Sequence, residues 1–258
     1  MHWPCANELF SMSQAFELVA QTPEFVVLNK AAGISFHSEQ GPGLVVQAGQ
    51  TLGFKLYPVH RLDKVTSGLI VLARSSEVAA ELTRLFSTQQ VQKYYLALSF
   101  AKPAKKQGWV KGEMATARRG AWKLLLTQHN PAVSYFISQG FTDMPLRAFL
   151  IKPYSGKTHQ IRVALKSVGA AIAGDELYQG AAADRVYLHA FALRFNLAGK
   201  LYQYQQPPEQ GSYFQQLTQA GAWQQWAEPW LLSWPDYQQP HSSTAINNNR
   251  NRLSTKDV

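Results

Sequence analysis

The chain has 258 residues, 46% of them hydrophobic and 16% charged, enough apolar material for one large domain or two small ones around a sizeable core. Its 25 Lys and Arg against 16 Asp and Glu leave a formal net charge of +9, which points to a polyanionic partner. The single cysteine, Cys5, excludes an intrachain disulfide, and no stretch approaches the roughly 18 apolar residues of a membrane span or has the pattern of a secretory leader; a cytoplasmic, non-membrane protein is expected.

From the N-terminus, EFVVLNK (24–30) has the composition of a strand, ended by a turn at AAG (31–33). GPG (41–43) is a loop. Residues 59–74, VHRLDKVTSGLIVLAR, set a polar knot of His60, Arg61, Asp63, Lys64, Thr66 and Ser67 directly before a continuous apolar run. That pattern predicts a loop anchored by a buried central strand. SSEVAAELTRLFSTQQ (75–90) predicts a helix, capped by Ser75 or Ser76, with Val78, Leu82, Leu85 and Phe86 on one face. KYYLALSF (93–100) is a strand, KPAKKQG (102–108) a loop, and LRAFLIKP (146–153) a strand closed by Pro153 and the turn at Ser155-Gly156. THQIRVALKSVG (158–169) predicts a helix capped by Thr158 and ended by Gly169. Strands and helices alternate irregularly and no Gly-rich dinucleotide loop follows a strand, which gives an α+β class with a mixed sheet. In the Gln- and Trp-rich stretch 203–240, Trp223, Trp226, Trp230 and Trp234 recur at helical spacing and are expected to cover the core. Residues 241–258 lack apolar periodicity and are expected to form a disordered tail. The expected organisation is an N-terminal extension (1–20), one catalytic domain (21–240) and that tail.

Charge is uneven. Between Arg84 and Lys123 lie nine basic residues and one acid, Glu113. Lys93, Lys105, Lys106, Arg118 and Arg119 in this segment are candidates to neutralise RNA phosphates, with aromatics interleaved among them. The asymmetry favours nucleic acid as the partner; the aromatics by themselves fit a core equally well.

The knot does not match the familiar catalytic strings. HRLD departs from the kinase loop by its leucine, and SGKT (155–158) lacks the leading glycine of a P-loop, Ile151 standing there. The seven histidines show no metal-ligand spacing and one cysteine anchors no zinc site, so no metal is expected. What remains is one aspartate among cations. Such a carboxylate can act as nucleophile or base, or can simply form a loop ion pair with Arg61. A hydrolase acting on nucleosides through this aspartate is one alternative on these residues, and a catalytically silent RNA-binding protein is another.

The string HRLDKVTSGLIVLAR strongly resembles the signature of RluA-family pseudouridine synthases. LNKAAGISFH (28–37), KYYLAL (93–98), SGKTHQIRVALKSVGAAIAGDELY (155–178) and YLHAFALRF (187–195) resemble further motifs of the family, in family order. Ala31 stands where proline is usual and Ala164 where histidine is usual. Residues 1–29 hold no Lys or Arg and three glutamates, so the S4 RNA-binding domain of many relatives is not expected. The resemblance implies the pseudouridine synthase fold, α+β with a mixed, mainly antiparallel central sheet, flanking helices and a central basic cleft. It implies isomerisation of uridine to pseudouridine in tRNA or rRNA, without metal or organic cofactor, by a protein expected to be a monomer. Carried over by position, Asp63 is the catalytic carboxylate, Tyr95 packs on the uracil and is a candidate to remove the C5 proton, Arg162 pairs with Asp63, and Arg61 fills the space of the flipped nucleotide. His60, Lys157, His159 and Gln160, in the same motifs, are expected to bind RNA.

Overall fold

The computed structural model describes residues 15–38, 41–141, 144–219, 221 and 224–237. The tail expected at 241–258 lies outside them, as does Trp223. Strands β1 (Phe16–Gln21) and β2 (Phe25–Lys30) form a hairpin, followed by helix α1 (Leu44–Leu52), the short β3 (Tyr57–Pro58), β4 (Ser67–Ala73) and helix α2 (Ser76–Ser87). Then come β5 (Gln92–Ser99), β6 (Gln107–Gly112), the small hairpin β7 (Met114–Thr116) and β8 (Trp122–Leu124), β9 (Ala132–Phe141), β10 (Met144–Pro153) and helix α3 (Gln160–Ser167). β11 (Leu188–Leu197), β12 (Lys200–Gln205) and helix α4 (Ser212–Gln219) follow. β1 starts at Phe16, ahead of residue 21, so the stretch expected as an extension contributes an edge strand.

The main sheet runs β1-β2-β4-β11-β5-β10-β9-β6, with β3 beside β4 and β12 beside β11. Every pairing is antiparallel except β4 with β11, which makes the sheet mixed and mainly antiparallel. All seven residues of β4 are buried, as a continuous apolar run requires when helices cover both faces. Ile70 and Leu72 face α1 through Leu44 and Ala48, while Leu69 and Val71 face α2 through Leu82 and Leu85. Ser75 caps α2 by accepting the Val78 N–H at 3.3 Å. A third and largest core joins β5, β9, β10 and α3, and Trp226, with Trp230 and Trp234 packed against it, covers its flank. The chain there is two short 3₁₀ turns rather than one helix, because Pro229 cannot continue a helical ladder.

The two halves of the sheet meet over a short seam. β4 pairs with β11 only at Ser67–His189 and Gly68–Ala190; from Ala192 onward the same edge of β11 is taken by β12. Ser67 Oγ lies 2.8 Å from His189 Nδ1, and His189 Nε2 lies 2.8 Å from the Gln206 carbonyl. The carbonyl can only accept, so the ring is protonated at Nε2, and Ser67 donates to Nδ1. Arg185 Nη2 donates to the same serine at 2.7 Å. Gly68 has φ +109°, and a Cβ there would fall 2.3 Å from the Ala190 carbonyl oxygen and 2.6 Å from its nitrogen. Main chain cannot yield as a side chain does. Gly68→Ala is therefore expected to cost more than about 3 kcal/mol, read as a lowered urea midpoint or as loss of soluble protein; an unchanged midpoint would mean that the seam is not close-packed.

Candidate active site

The loop between β3 and β4 is held from two sides. His60 accepts the Val71 N–H on Nε2 at 2.9 Å and stacks on Phe86, with centroids 4.1 Å apart. Burial, with Lys93 nearby, pushes its pKa down to about 3, so it is a neutral latch. It offers no charge to a phosphate, although its ring still lines the cleft described below. On the other side, Lys64 accepts at its carbonyl from Gly33 N–H at 2.8 Å and from Lys30 Nζ at 3.2 Å. Lys30 is fully buried and also donates to the carbonyls of Ala31 and Ile34, each at 2.9 Å. Burial first, then Arg185, lowers its pKa to about 7, with Asp63 acting in the opposite sense. Three carbonyls are the full complement for an ammonium group. Lys30 fastens the turn at 31–34 to the loop that carries Asp63, a role the motif LNK did not disclose.

Asp63 faces the N-terminus of α3. Arg162 places Nη1 3.5 Å from Asp63 Oδ2. Its closer partner is Asp175, which takes Nε at 2.7 Å and Nη2 at 2.8 Å in a forked pair. Asp175 is 1% exposed, and a buried guanidinium needs such a partner. The fork leaves Nη1 to point at Asp63. Asp175 was visible in the GDELY string, but nothing in that spelling tells which cation it holds.

His159, expected to touch RNA, sits beside the carboxylate instead, with Nε2 3.9 Å from Asp63 Oδ2. Its backbone is left-handed, φ 56°, and it occupies the cap position of α3. Thr158, the expected cap, is exposed one residue earlier. A left-handed turn at a non-glycine is uncommon, and here it aims the ring. Trp122 N–H donates to Tyr178 Oη at 3.0 Å, and Tyr178 lies 2.8 Å from His159 Nδ1. Burial lowers the pKa of His159 and raises that of Tyr178. A neutral ring accepting the tyrosine proton on Nδ1 turns Nε2–H toward Asp63. The Tyr178 ring also lies under the Arg162 guanidinium, 4.9 Å from its centroid.

Asp63 and His159 line a cleft of about 340 Å³, with Arg162, Asp175 and Tyr178 behind them. Tyr95 lines it from β5, while Tyr94 points to the opposite face and is 1% exposed. Burial, aided by Asp63, raises the pKa of Tyr95, so it stays a neutral phenol. Lys93 donates to the Ser155 carbonyl at 3.3 Å, and burial lowers its pKa to about 8. Arg61 is exposed at the rim and forms no ion pair among the described residues. Gln160, expected to bind RNA, is fully used inside the protein. It accepts from Ser155 Oγ and Lys157 N–H and donates to the Val133 carbonyl and Ser134 Oγ. It fixes the turn at 155–159 onto β9 and has nothing left for a ligand.

The basic segment does not form one surface. Arg84 is spent on Glu81 at 2.7 Å. Lys105 and Lys106 are exposed, but they follow the end of β5 remote from Lys93, roughly 20 Å away at about 3.3 Å per residue. The structure does not bring them to the cleft. Arg118 and Arg119 cap the β7–β8 hairpin, whose strand β8 leans on the site through the Trp122–Tyr178 bond.

A carboxylate at the foot of a polar cleft, aimed by an arginine and rimmed by further cations, suits work on a base within a polyanion. The comparisons agree. Residues 24–167 match the family model described as RNA pseudouridylate synthase. An "Uncharacterized RNA pseudouridine synthase" of Haemophilus influenzae is 47% identical over 77% of this chain and 90% of its own length. The "Ribosomal large subunit pseudouridine synthase C" of Rickettsia bellii is 30% identical over 62% of this chain, which spans 56% of that protein. Among solved structures, Human RNA Pseudouridylate Synthase Domain Containing 1 superposes with a TM-score of 0.64 at 22% identity, covering 80% of this chain and 94% of that one. Fold and relatives define an isomerase that acts on RNA, converting uridine to pseudouridine. The chain belongs to the RNA pseudouridylate synthase family.

His60 and His189 are both held neutral, with pKa values of about 3 against 6.5 when free. Between those values the unfolded chain binds protons that the folded chain refuses, so stability is full above about pH 6.5 and falls as pH drops through that window. The urea midpoint should decline steadily from pH 7 to 4, and His60→Gln should make the decline shallower. An equally steep decline in that variant would leave His60 without this role.

Proposed function

We propose that Asp63 is the catalytic carboxylate and that the cleft takes a single uridine turned out of its RNA. The carrying observation is the place of Asp63, between Arg162 Nη1 and His159 Nε2 in the cleft. The carboxylate attacks either the uracil ring or ribose C1′. The bond from C1′ to N1 breaks with its electron pair left on N1, the uracil turns, C5 bonds to C1′ as the carboxylate is released, and the proton lost from C5 is balanced by one taken up at N1. The product has the atoms of the substrate. Arg162, braced by Asp175, orients the carboxylate. Tyr95 supports the uracil through its ring; as a phenol with a raised pKa it is a poor base for the C5 proton, so its part is packing.

Arg61, always protonated, cannot take a proton. At the rim it fills the gap left by the extruded nucleotide and holds neighbouring phosphates. Lys157, Arg118 and Arg119 supply further phosphate contacts. The RNA is ribosomal or transfer RNA; curated relatives carry names of both kinds. The catalytic domain comprises β1 and residues 21–240 and works as a monomer in the cytoplasm.

Asp63→Asn keeps the shape and removes the charge. It is expected to abolish pseudouridine formation while RNA binding persists in a filter assay; wild-type turnover in that variant would dismiss the assignment. A transcriptome-wide pseudouridine map with and without the protein names the target. Arg61→Ala should slow single-turnover modification of a folded stem-loop more than that of an RNA with the same uridine already in an open bulge, because less extrusion work remains. Equal fractional losses would place Arg61 at the reacting centre instead.

A further inference from the structure

A second pocket of about 400 Å³ opens beside the cleft. The two share a wall: Phe86, Ser87 and the turn Ser155–Lys157 line both. Its far side comes from the loop before β9, with Gln128, His129 and Asn130, and from Tyr154 and Tyr237. Among the described residues no carboxylate lines it. We propose that it is a second nucleotide site, which holds the unpaired base adjacent to the target uridine; this rests on the reading of the first cleft as the uridine site.

Continuity is the first argument. A strand whose uridine enters the cleft has its next nucleotide over the turn at 155–157, which is the boundary between the pockets. Chemistry is the second. Stacking needs a rigid aromatic face, and the Tyr154 ring is fixed by donation from its hydroxyl to the Pro235 carbonyl at 2.6 Å. The Tyr237 ring stands 6.2 Å from it at 68°, and 5.8 Å from Trp109. Lys111 Nζ lies 5.0 Å from the Tyr237 centroid and 4.3 Å from that of Trp109. Such prior order lowers the entropic cost of stacking. Facing the rings, side-chain amides present donors and acceptors suited to a base edge, and Lys157, 2.9 Å from Asn130 Oδ1, supplies a cation for a phosphate. The nearby Asp236 acts on Lys152 and Tyr154.

The site also accounts for the Trp-rich C-terminal stretch. Trp234 packs on Tyr94 and Tyr135, at 5.6 and 6.1 Å, and its indole N–H donates to the Pro229 carbonyl at 2.6 Å. That anchor carries the chain back across β9 and β10 and delivers Tyr237 to the pocket.

The test uses the full chain and a stem-loop RNA that it modifies, with the nucleotide on either side of the target uridine made abasic in turn. One of the two abasic substrates should lose about tenfold in kcat/KM, the range of one stacked base. Tyr237→Ala should lose a similar factor on the intact RNA and little more on that abasic RNA, and Gln128→Ala should behave alike with a smaller loss. In parallel, 2-aminopurine at the same position should be quenched on binding to the wild type and less so with Tyr237→Ala, a readout that needs no turnover. Indifference of the wild type to both abasic substrates, losses that simply multiply, or unaltered quenching would each overturn the second site. Absence of pseudouridine from every intact RNA, with quenching still dependent on Tyr237, would count against the uridine reading and not against the pocket.

Discussion

The close approach of β4 to β11 is the constraint on which the site depends. Asp63 belongs to the half of the molecule built on β1, β2 and β4, and Tyr95 and Arg162 to the half built on β5, β10 and α3. Only two residue pairs join β4 to β11, and the contact is possible because Gly68 carries no side chain where the Ala190 main chain passes. Ser67, His189 and Arg185 tie the same spot. A wider seam would open the distance between Asp63 and Arg162, which is already at the limit of a hydrogen bond. The glycine of the TSGL string is thus a spacing element for cleft groups it never touches.

Positive charge in this protein does two kinds of work. Lys30, Lys93, Arg162 and Arg185 lie within the fold, where burial disfavours their charge, and each has acceptors placed for it. They hold loops, the seam and the carboxylate. Arg61, Arg118 and Arg119 stay in solvent and remain available to a polyanion. A net charge read from composition merges the two groups, although only the second contributes freely to long-range attraction.

That merging explains much of what the sequence concealed. Strands β2, β4, β5 and β10 and helix α2 were legible because each carries a strong apolar pattern between clear breaks. Helix α1 was not: Gly43 offers no side-chain cap and Gly49 lies within it, so local preference argued against a helix that packing on β4 secures. The start of α3 was misplaced because His159 takes a left-handed backbone that propensity disfavours, held by Tyr178 from nineteen residues away. The motifs pointed to Asp63, Tyr95 and Arg162, which the fold brings together, whereas the work of Asp175, Lys30 and Gln160 is set by partners distant in sequence. His60 and Gln160 sit in motif strings and line the cleft, but His60 spends Nε2 on the Val71 N–H and Gln160 spends its whole amide inside the protein. Spelling alone does not distinguish a residue that meets a ligand from one that holds a neighbour in place.

The seam has a consequence for how the protein comes into being. Ser67 and His189 are 122 residues apart in sequence, and Asp63 and Arg162 are 99 apart. The first half-sheet can form early on the ribosome, yet its carboxylate lacks its arginine until α3 has emerged, and the seam closes only when β11 arrives. A nascent chain that lacks β11 has neither the Ser67–His189 bond nor the β4–β11 pairing. The halves that carry Asp63 and Arg162 therefore reach their final spacing only when nearly the whole described chain has been translated.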